Sequence, residues 1–151
     1  MPYTDTLERM LGAARHRLIC VPSVRFDGTA TAERIRAALA TGRDRAALRA
    51  YLDFADALRS EEPAVRVALA VARPRTTGSP VWDAALAAIV HYCLARAALP
   101  VPTWVNERDR FLPQPSELEI GVARLAADPH IVAPEFALRN VLLEERNFAS
   151  V

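Results

Sequence analysis

Apolar residues along this chain recur at three- and four-residue intervals, the period of one face of an α-helix. Over 4–19, Leu7, Met10, Leu11, Ala14 and Leu18 follow that spacing, and Val21-Pro22 ends the run. A second helix is predicted over 32–40, capped by Thr31 and closed by Thr41-Gly42, with Ile35, Ala38 and Leu39 inward. Residues 44–60 are amphipathic, with Ala47, Leu48, Tyr51, Leu52, Phe54, Ala55 and Leu58 on the apolar face. Pro63 suits the first turn of a helix over 62–73, and the turn formers of 74–80 make a loop.

A long helix is predicted near 81–98. Trp82, Ala85, Leu86, Ile89, Val90, Cys93, Leu94 and Ala97 give it an apolar face wide enough for the centre of a bundle. Pro100 and Pro102 stop it, and Trp104 lies just past that corner. Ser116 is the expected cap of a helix over 117–127, with Leu118, Ile120, Val122 and Leu125 as core positions. A short helix follows from Pro134 to about Asn140, and the apolar tail 141–151 is expected to dock. The β-branched candidates for strands are short, Val21–Phe26 and Val141–Leu143. The expectation is an all-α, single-domain chain over 1–151, an irregular bundle around one long helix.

Composition sharpens this picture. Hydrophobic residues make up 52% of the 151, too many for a disordered chain and enough for a core without metals or disulfides. The 19 basic residues against 18 acidic ones leave a charge of +1, which gives no bulk drive toward nucleic acid or an anionic membrane. All 19 are arginine. The absence of lysine excludes a Schiff base or a P-loop lysine, and with the abundant alanine it is what a GC-rich genome favours. Cys20 and Cys93 lie far apart in apolar surroundings and read as reduced, buried thiols. The N-terminus shows no signal peptide, and no uncharged apolar stretch reaches about 18 residues, so a cytoplasmic location is expected.

The motifs for chemistry are sparse. His91 and Cys93 are two residues apart, so on a helix they point in different directions, and no Cys-x-x-Cys or His-Glu-x-x-His supplies zinc ligands. No Gly-x-Ser-x-Gly elbow and no glycine cluster for a phosphate loop occurs. Arg124 and His130 have the Arg-x5-His spacing seen in some helical ribonucleases, but Asp128-Pro129 interrupts the helix that should carry both. Residues 34–52 match helix-turn-helix spacing through Ala38 and Gly42, which places Arg43, Arg45 and Arg49 toward phosphates or base edges. Tyr51, Phe54 and Leu58 continue that helix as a core face, and Asp44, Asp53 and Asp56 oppose a polyanion, so a plain helical hairpin is favoured.

A family resemblance runs through residues 33–151. It rests on Gly42, on Pro74 to Gly78 followed by Trp82-Asp83, and on the Leu99-Pro100-x-Pro102-x-Trp104 corner. Phe111-Leu112 and Ala133-Pro134 with Arg139 complete it. This pattern resembles a family of small, mostly uncharacterised helical proteins of high-GC bacteria. Some members stand beside nucleotidyltransferase-like proteins, in an arrangement like that of toxin and antitoxin genes. The chain departs from the pattern after Phe111, where Leu-Pro-Gln-Pro-Ser-Glu replaces the aromatic residues usual there. The resemblance implies a non-catalytic interaction protein that needs no cofactor and neutralises a nucleotidyltransferase-type partner. Its expected protein-binding residues are Trp104, Arg108, Arg110, Phe111, Phe136, Arg139 and Arg146, with exposed arginines pairing with acidic cleft residues. The competing reading of Trp104 is a core lid over the long helix, and this takes precedence.

Overall fold

A computed structural model describes residues 25–121, 123–125 and 127–148, together with Thr6, Met10 and Ala13. The expected helix over 4–19, Cys20, His16, most of the strand expected over 21–26 and the core position Val122 lie outside the described residues; Met10 is exposed. The fold is mostly helical. Helix α1 spans Gly28–Leu39, α2 Asp44–Ser60, α3 Pro63–Val71, α4 Pro80–Arg96 and α5 Pro134–Ala137. No helix among the described residues is long and apolar enough to cross a membrane.

Helix α1 starts one turn earlier than its periodicity suggests, because Asp27 is the cap. Its carboxylate accepts the Ala30 N–H at 2.7 Å, and the expected cap Thr31 is buried inside the helix. Gly28 then sits against Phe54, whose ring would lie 3.4 Å from an added Cβ. Gly42, with φ of +64°, closes α1. Arg43 N–H bonds the Ala38 carbonyl and Gly42 N–H that of Leu39, the double bond of a Schellman turn. Helix α2 then folds back on α1 and presents Tyr51, Phe54 and Leu58 inward, each at most 2% exposed.

Helix α4 is the centre. Every residue from Trp82 to Val90 is buried, and so are Tyr92, Cys93 and Leu94. Its apolar face is therefore nearly the whole circumference. Helices α1, α2, α3 and α5 and the 3-10 turns at Thr103–Asn106 and Arg108–Arg110 all pack on it. Trp82 meets Tyr51 edge to face at 5.9 Å, and the Tyr51 hydroxyl donates to the Ala85 carbonyl. Desolvation pushes the Tyr51 phenol well above its ordinary value, and Cys93 adds to the rise.

The helix leaves α4 through a second Schellman turn, from Leu99 N–H to the Leu94 carbonyl and from Ala98 N–H to that of Ala95. Here the left-handed residue is Ala98, at φ +53°. The turn aims the chain into the Leu99-Pro100-Val101-Pro102 corner.

The helix expected over 117–127 does not form. Pro113 and Pro115 hold the approach extended, and Gly121 takes φ +62° in the middle of the segment. Ser116–Glu117 (β1) instead pairs in parallel with Val141–Leu142 (β4), and Glu119–Ile120 (β2) pairs antiparallel with Ala123–Arg124 (β3). Leu118 keeps its expected core place at 0% exposure. Of the short β-branched candidates, Val141–Leu143 contributes the two-residue strand β4 at Val141–Leu142. The tail docks on its own core. Val141, Leu143 and Phe148 are buried, and Phe148 stacks on Phe136 at 4.9 Å and meets Tyr92 edge-on at 5.2 Å.

Replacing Phe148→Ala should cost ~3–5 kcal/mol, since it opens a cavity against the buried rings of Tyr92 and Phe136. Urea denaturation followed by circular dichroism measures this; a loss under about 1 kcal/mol would mean that the tail is not part of the core. Ala98→Gly should raise stability by about 0.5–1 kcal/mol by removing left-handed strain at an exposed position, which the same titration reads.

Candidate functional site

The chain that follows the proline corner carries four of the residues that the sequence offered as a binding surface, and it buries two of them, Trp104 and Arg110. Pro102 begins the 3-10 turn that turns Trp104 back over α3. The indole is 3% exposed, and its N–H donates to the Ala70 carbonyl at 3.0 Å. Trp104 is therefore buried as a lid, with its indole anchored on α3 and not on the start of the long helix as expected.

Arg110 and Arg139 were expected at the surface and are 1% and 0% exposed. This is a correction with a clear cause: each guanidinium satisfies irregular backbone that no helix or strand can pair. Arg110 donates to the Pro74 carbonyl at 2.8 Å, stands 5.3 Å over the Trp104 ring and lies 4.0 Å from the Asp83 carboxylate. Asp83 in turn accepts the Thr77 N–H at 2.7 Å and the Thr76 and Thr77 hydroxyls at 2.5 and 2.8 Å. The Pro74–Gly78 loop and the start of α4 are thus tied through one carboxylate.

Arg139 does the same work at the other end. It donates to the carbonyls of Glu135 and Val105 at 2.8 and 2.9 Å and to the Asn106 side chain at 3.3 Å, and it covers the half-buried Phe111 ring at 5.1 Å. One amine also stands 3.2 Å from His91 Nδ1. Arginine is donor-only, so that nitrogen is the acceptor and the imidazole is neutral. Burial first, then the facing Arg139 charge, lower the His91 pKa, against a smaller opposing effect of Glu135. Burial likewise pushes Arg139 down to about 10. Phe136 is also interior, packed on Phe148, so its expected surface role is corrected for the same structural reason as the tail's.

Of the seven expected binding residues, Arg108 and Arg146 are exposed and Phe111 is half-buried. Arg146 is held by the buried Glu144 carboxylate at 2.5 Å. Arg124 lies in β3 and His130 in a separate, exposed 3-10 turn, so no single helix carries the Arg-x5-His spacing. No group of three metal-ligating side chains forms among the described residues.

A wide concave surface lies elsewhere, where the α1–α2 turn meets the β2–β3 turn. The Gly121 N–H donates to the Asp44 carboxylate at 2.9 Å and pins one turn to the other. Between them runs a groove of about 900 Å³. Leu48, Leu52 and Ile120 supply its apolar lining, and Arg43, Arg45 and Arg49 its rim. Asp53 holds Arg49 at 3.3 Å and Arg34 at 3.6 Å. Arg43 bonds the Thr41 hydroxyl, and neither Arg43 nor Arg45 pairs with a carboxylate among the described residues. The sequence singled out these arginines for a nucleic-acid reading. It missed the groove, because the β2–β3 turn that forms the second wall was read as helix.

Comparison with protein-family models, with curated proteins and with solved structures finds no match to this chain.

The His91 contact sets a pH dependence. Its pKa is lower in the fold than in the unfolded chain, so the unfolded chain binds the proton more readily. The stability that rests on neutral His91 is present above about pH 6.5 and is lost as pH falls through the folded value. His91→Gln keeps an acceptor for Arg139 and removes the titration. Melting temperatures between pH 7 and pH 5 should therefore fall less steeply in the variant, and parallel curves would show that His91 is not coupled to folding.

Proposed function

We propose that this chain is a non-catalytic interaction module that docks on a carboxylate-bearing protein partner, acting as an antitoxin-like neutraliser of a nucleotidyltransferase-type toxin. The observation that carries the docking part is the groove at the α1–α2 turn. An apolar floor rimmed by two arginines without acidic partners is complementary to an acidic, partly apolar surface. Nucleotidyltransferases use carboxylates to hold metal, so an arginine-rimmed surface placed over such a cleft competes for those groups and blocks it sterically. The antitoxin part rests on the family resemblance of residues 33–151.

The binding residues differ from those first expected. Arg110, Arg139, Trp104 and Phe136 act in this reading as the scaffold, and Arg43, Arg45, Leu48 and Leu52 as the contact surface. Rim charges mainly set association rate and salt dependence, whereas the leucines contribute desolvated contact area.

The test is co-expression with the product of the adjacent gene. The chain alone should be harmless, should rescue growth when the neighbour is toxic, and should co-purify with it. Arg43→Glu combined with Arg45→Glu should weaken the complex by about tenfold or more at low salt while leaving the melting temperature within a few degrees. Toxicity of the chain alone or failure to form any complex overturns the antitoxin reading. Specific submicromolar binding to the gene's own promoter in a gel shift, lost in the same double variant, replaces it with the helix-turn-helix reading.

A further inference from the structure

A second basic site lies on another part of the molecule, where the last turns of α2 and α4 meet α3. Arg59, Arg66 and Arg96 line one open pocket of about 330 Å³, with Leu58, Tyr92 and Ala97 around them and Cys93 in its wall. None of the lining residues is acidic, and the nearest carboxylates act from outside it, Glu145 on the Tyr92 hydroxyl and Glu135 on Cys93. Such a size is at the small end of ligand pockets, which run from about 300 to 1,000 Å³.

Each guanidinium is oriented by a contact that leaves other N–H groups unused. Arg59 is held by Asp56 at 2.5 Å, as an i, i+3 pair on α2. Arg66 uses Nε to donate to the Glu61 carbonyl at 2.5 Å. That bond satisfies a carbonyl just past the end of α2, an ordinary role for a cation near a helix C-terminus. It leaves both terminal amines of Arg66 without a partner among the described residues. Arg96 stacks over the Tyr92 ring at 4.1 Å, which fixes its plane and occupies none of its five donors. Neither Arg66 nor Arg96 pairs with a carboxylate among the described residues.

We propose that this pocket is a binding site for a phosphate group, either free or as a small phosphomonoester. Two preoriented guanidinium forks with free donors, and a third beside them, match the several acceptor oxygens and the double charge of phosphate better than the two oxygens of a carboxylate. A thiol in the wall does not oppose the anion, because burial pushes Cys93 up to about 12 and keeps it uncharged despite the lowering effect of the three arginines. This inference is independent of the docking groove, which involves none of these residues.

The full chain should be titrated calorimetrically with inorganic phosphate, phenyl phosphate and acetate at matched ionic strength. Saturable binding of phosphate and weaker binding of acetate are expected. Tighter binding of phenyl phosphate would identify a phosphomonoester as the source, and equal or weaker binding free phosphate. Arg66→Ala combined with Arg96→Ala should weaken phosphate by about tenfold or more, from the loss of charge-assisted hydrogen bonds. Arg75→Ala, an exposed arginine outside the pocket, should leave it unchanged. The proposal is overturned if phosphate gives no saturable heat, if acetate binds equally well, or if the double variant binds phosphate as the parent does.

Discussion

Helix α4 has no side that faces water along most of its length, and the architecture follows from that. From Trp82 to Val90 every side chain is buried, so the remaining elements have to cover all sides of one rod. Four helices cannot do this alone. Helix α3 is nine residues long and α5 only four, and the gaps are covered by 3-10 turns and extended segments. Alanine makes this close cover feasible. Ala84, Ala85, Ala87 and Ala88 let neighbouring backbones approach the helix, and the large side chains Trp82, Leu86, Ile89 and Tyr92 fill the space between them.

Covering a helix with irregular chain creates a second demand. Loops and 3-10 turns carry carbonyls that have no ladder partner, and burial makes those carbonyls costly to leave bare. The chain answers with arginines. Arg110 reaches a carbonyl of the 74–78 loop, and Arg139 reaches those of Val105 and Glu135 across the proline corner. Aromatic faces, Trp104 and Phe111, cover the flat sides of the two guanidinium groups. Arginine suits this use because five donors in one plane can serve several segments at once, and it stays charged even where burial lowers its pKa. Hence the residues that look most like interface anchors in sequence, a tryptophan and arginines beside prolines, are those the fold requires for itself.

This explains what was legible in the sequence. The helix at 44–60 emerges from periodicity because its burial pattern repeats every turn, and the one at 80–96 from a long apolar run bounded by Pro80 and Pro100. Trp82 facing inward, Trp104 as a lid and Val141–Leu142 as a strand were readable for similar reasons. The segment after Ser116 was not. Its apolar spacing at Leu118, Ile120 and Leu125 imitates a helix, and the competing signals were a glycine in the middle and a strand partner 25 residues away at Val141. Pro113 and Pro115 were the available clue that the backbone enters extended. The burial of Arg110 and Arg139 was equally hidden, since no local pattern distinguishes an arginine that bonds distant carbonyls from one that faces solvent. The groove depended on the missed turn, so only its arginine side was visible.

Once the buried arginines are assigned to the scaffold, the exposed ones carry the functional argument. Surface arginines in this chain are generally neutralised close by: Arg49 and Arg34 by Asp53, Arg73 by Glu107 and Asp109, and Arg146 by Glu144. Arg43 and Arg45 at the α1–α2 turn, Arg66 on α3 and Arg96 at the end of α4 have no such carboxylate among the described residues, and neither do the exposed Arg75 and Arg108. A chain with nearly equal numbers of acidic and basic residues has enough carboxylates to pair them all. Their lack of partners is therefore a matter of placement. Arg43 and Arg45 border one concavity, floored by leucines and wide enough for a protein element, and Arg66 and Arg96 border another, small and lined by donors. An unpaired charge on open surface is fully hydrated and gains little from any partner, whereas one at the edge of a concavity meets a ligand with part of its water already excluded. Shape then separates the two sites by class of ligand: an extended apolar floor favours a macromolecular surface, and a compact ring of forks favours a single anionic group.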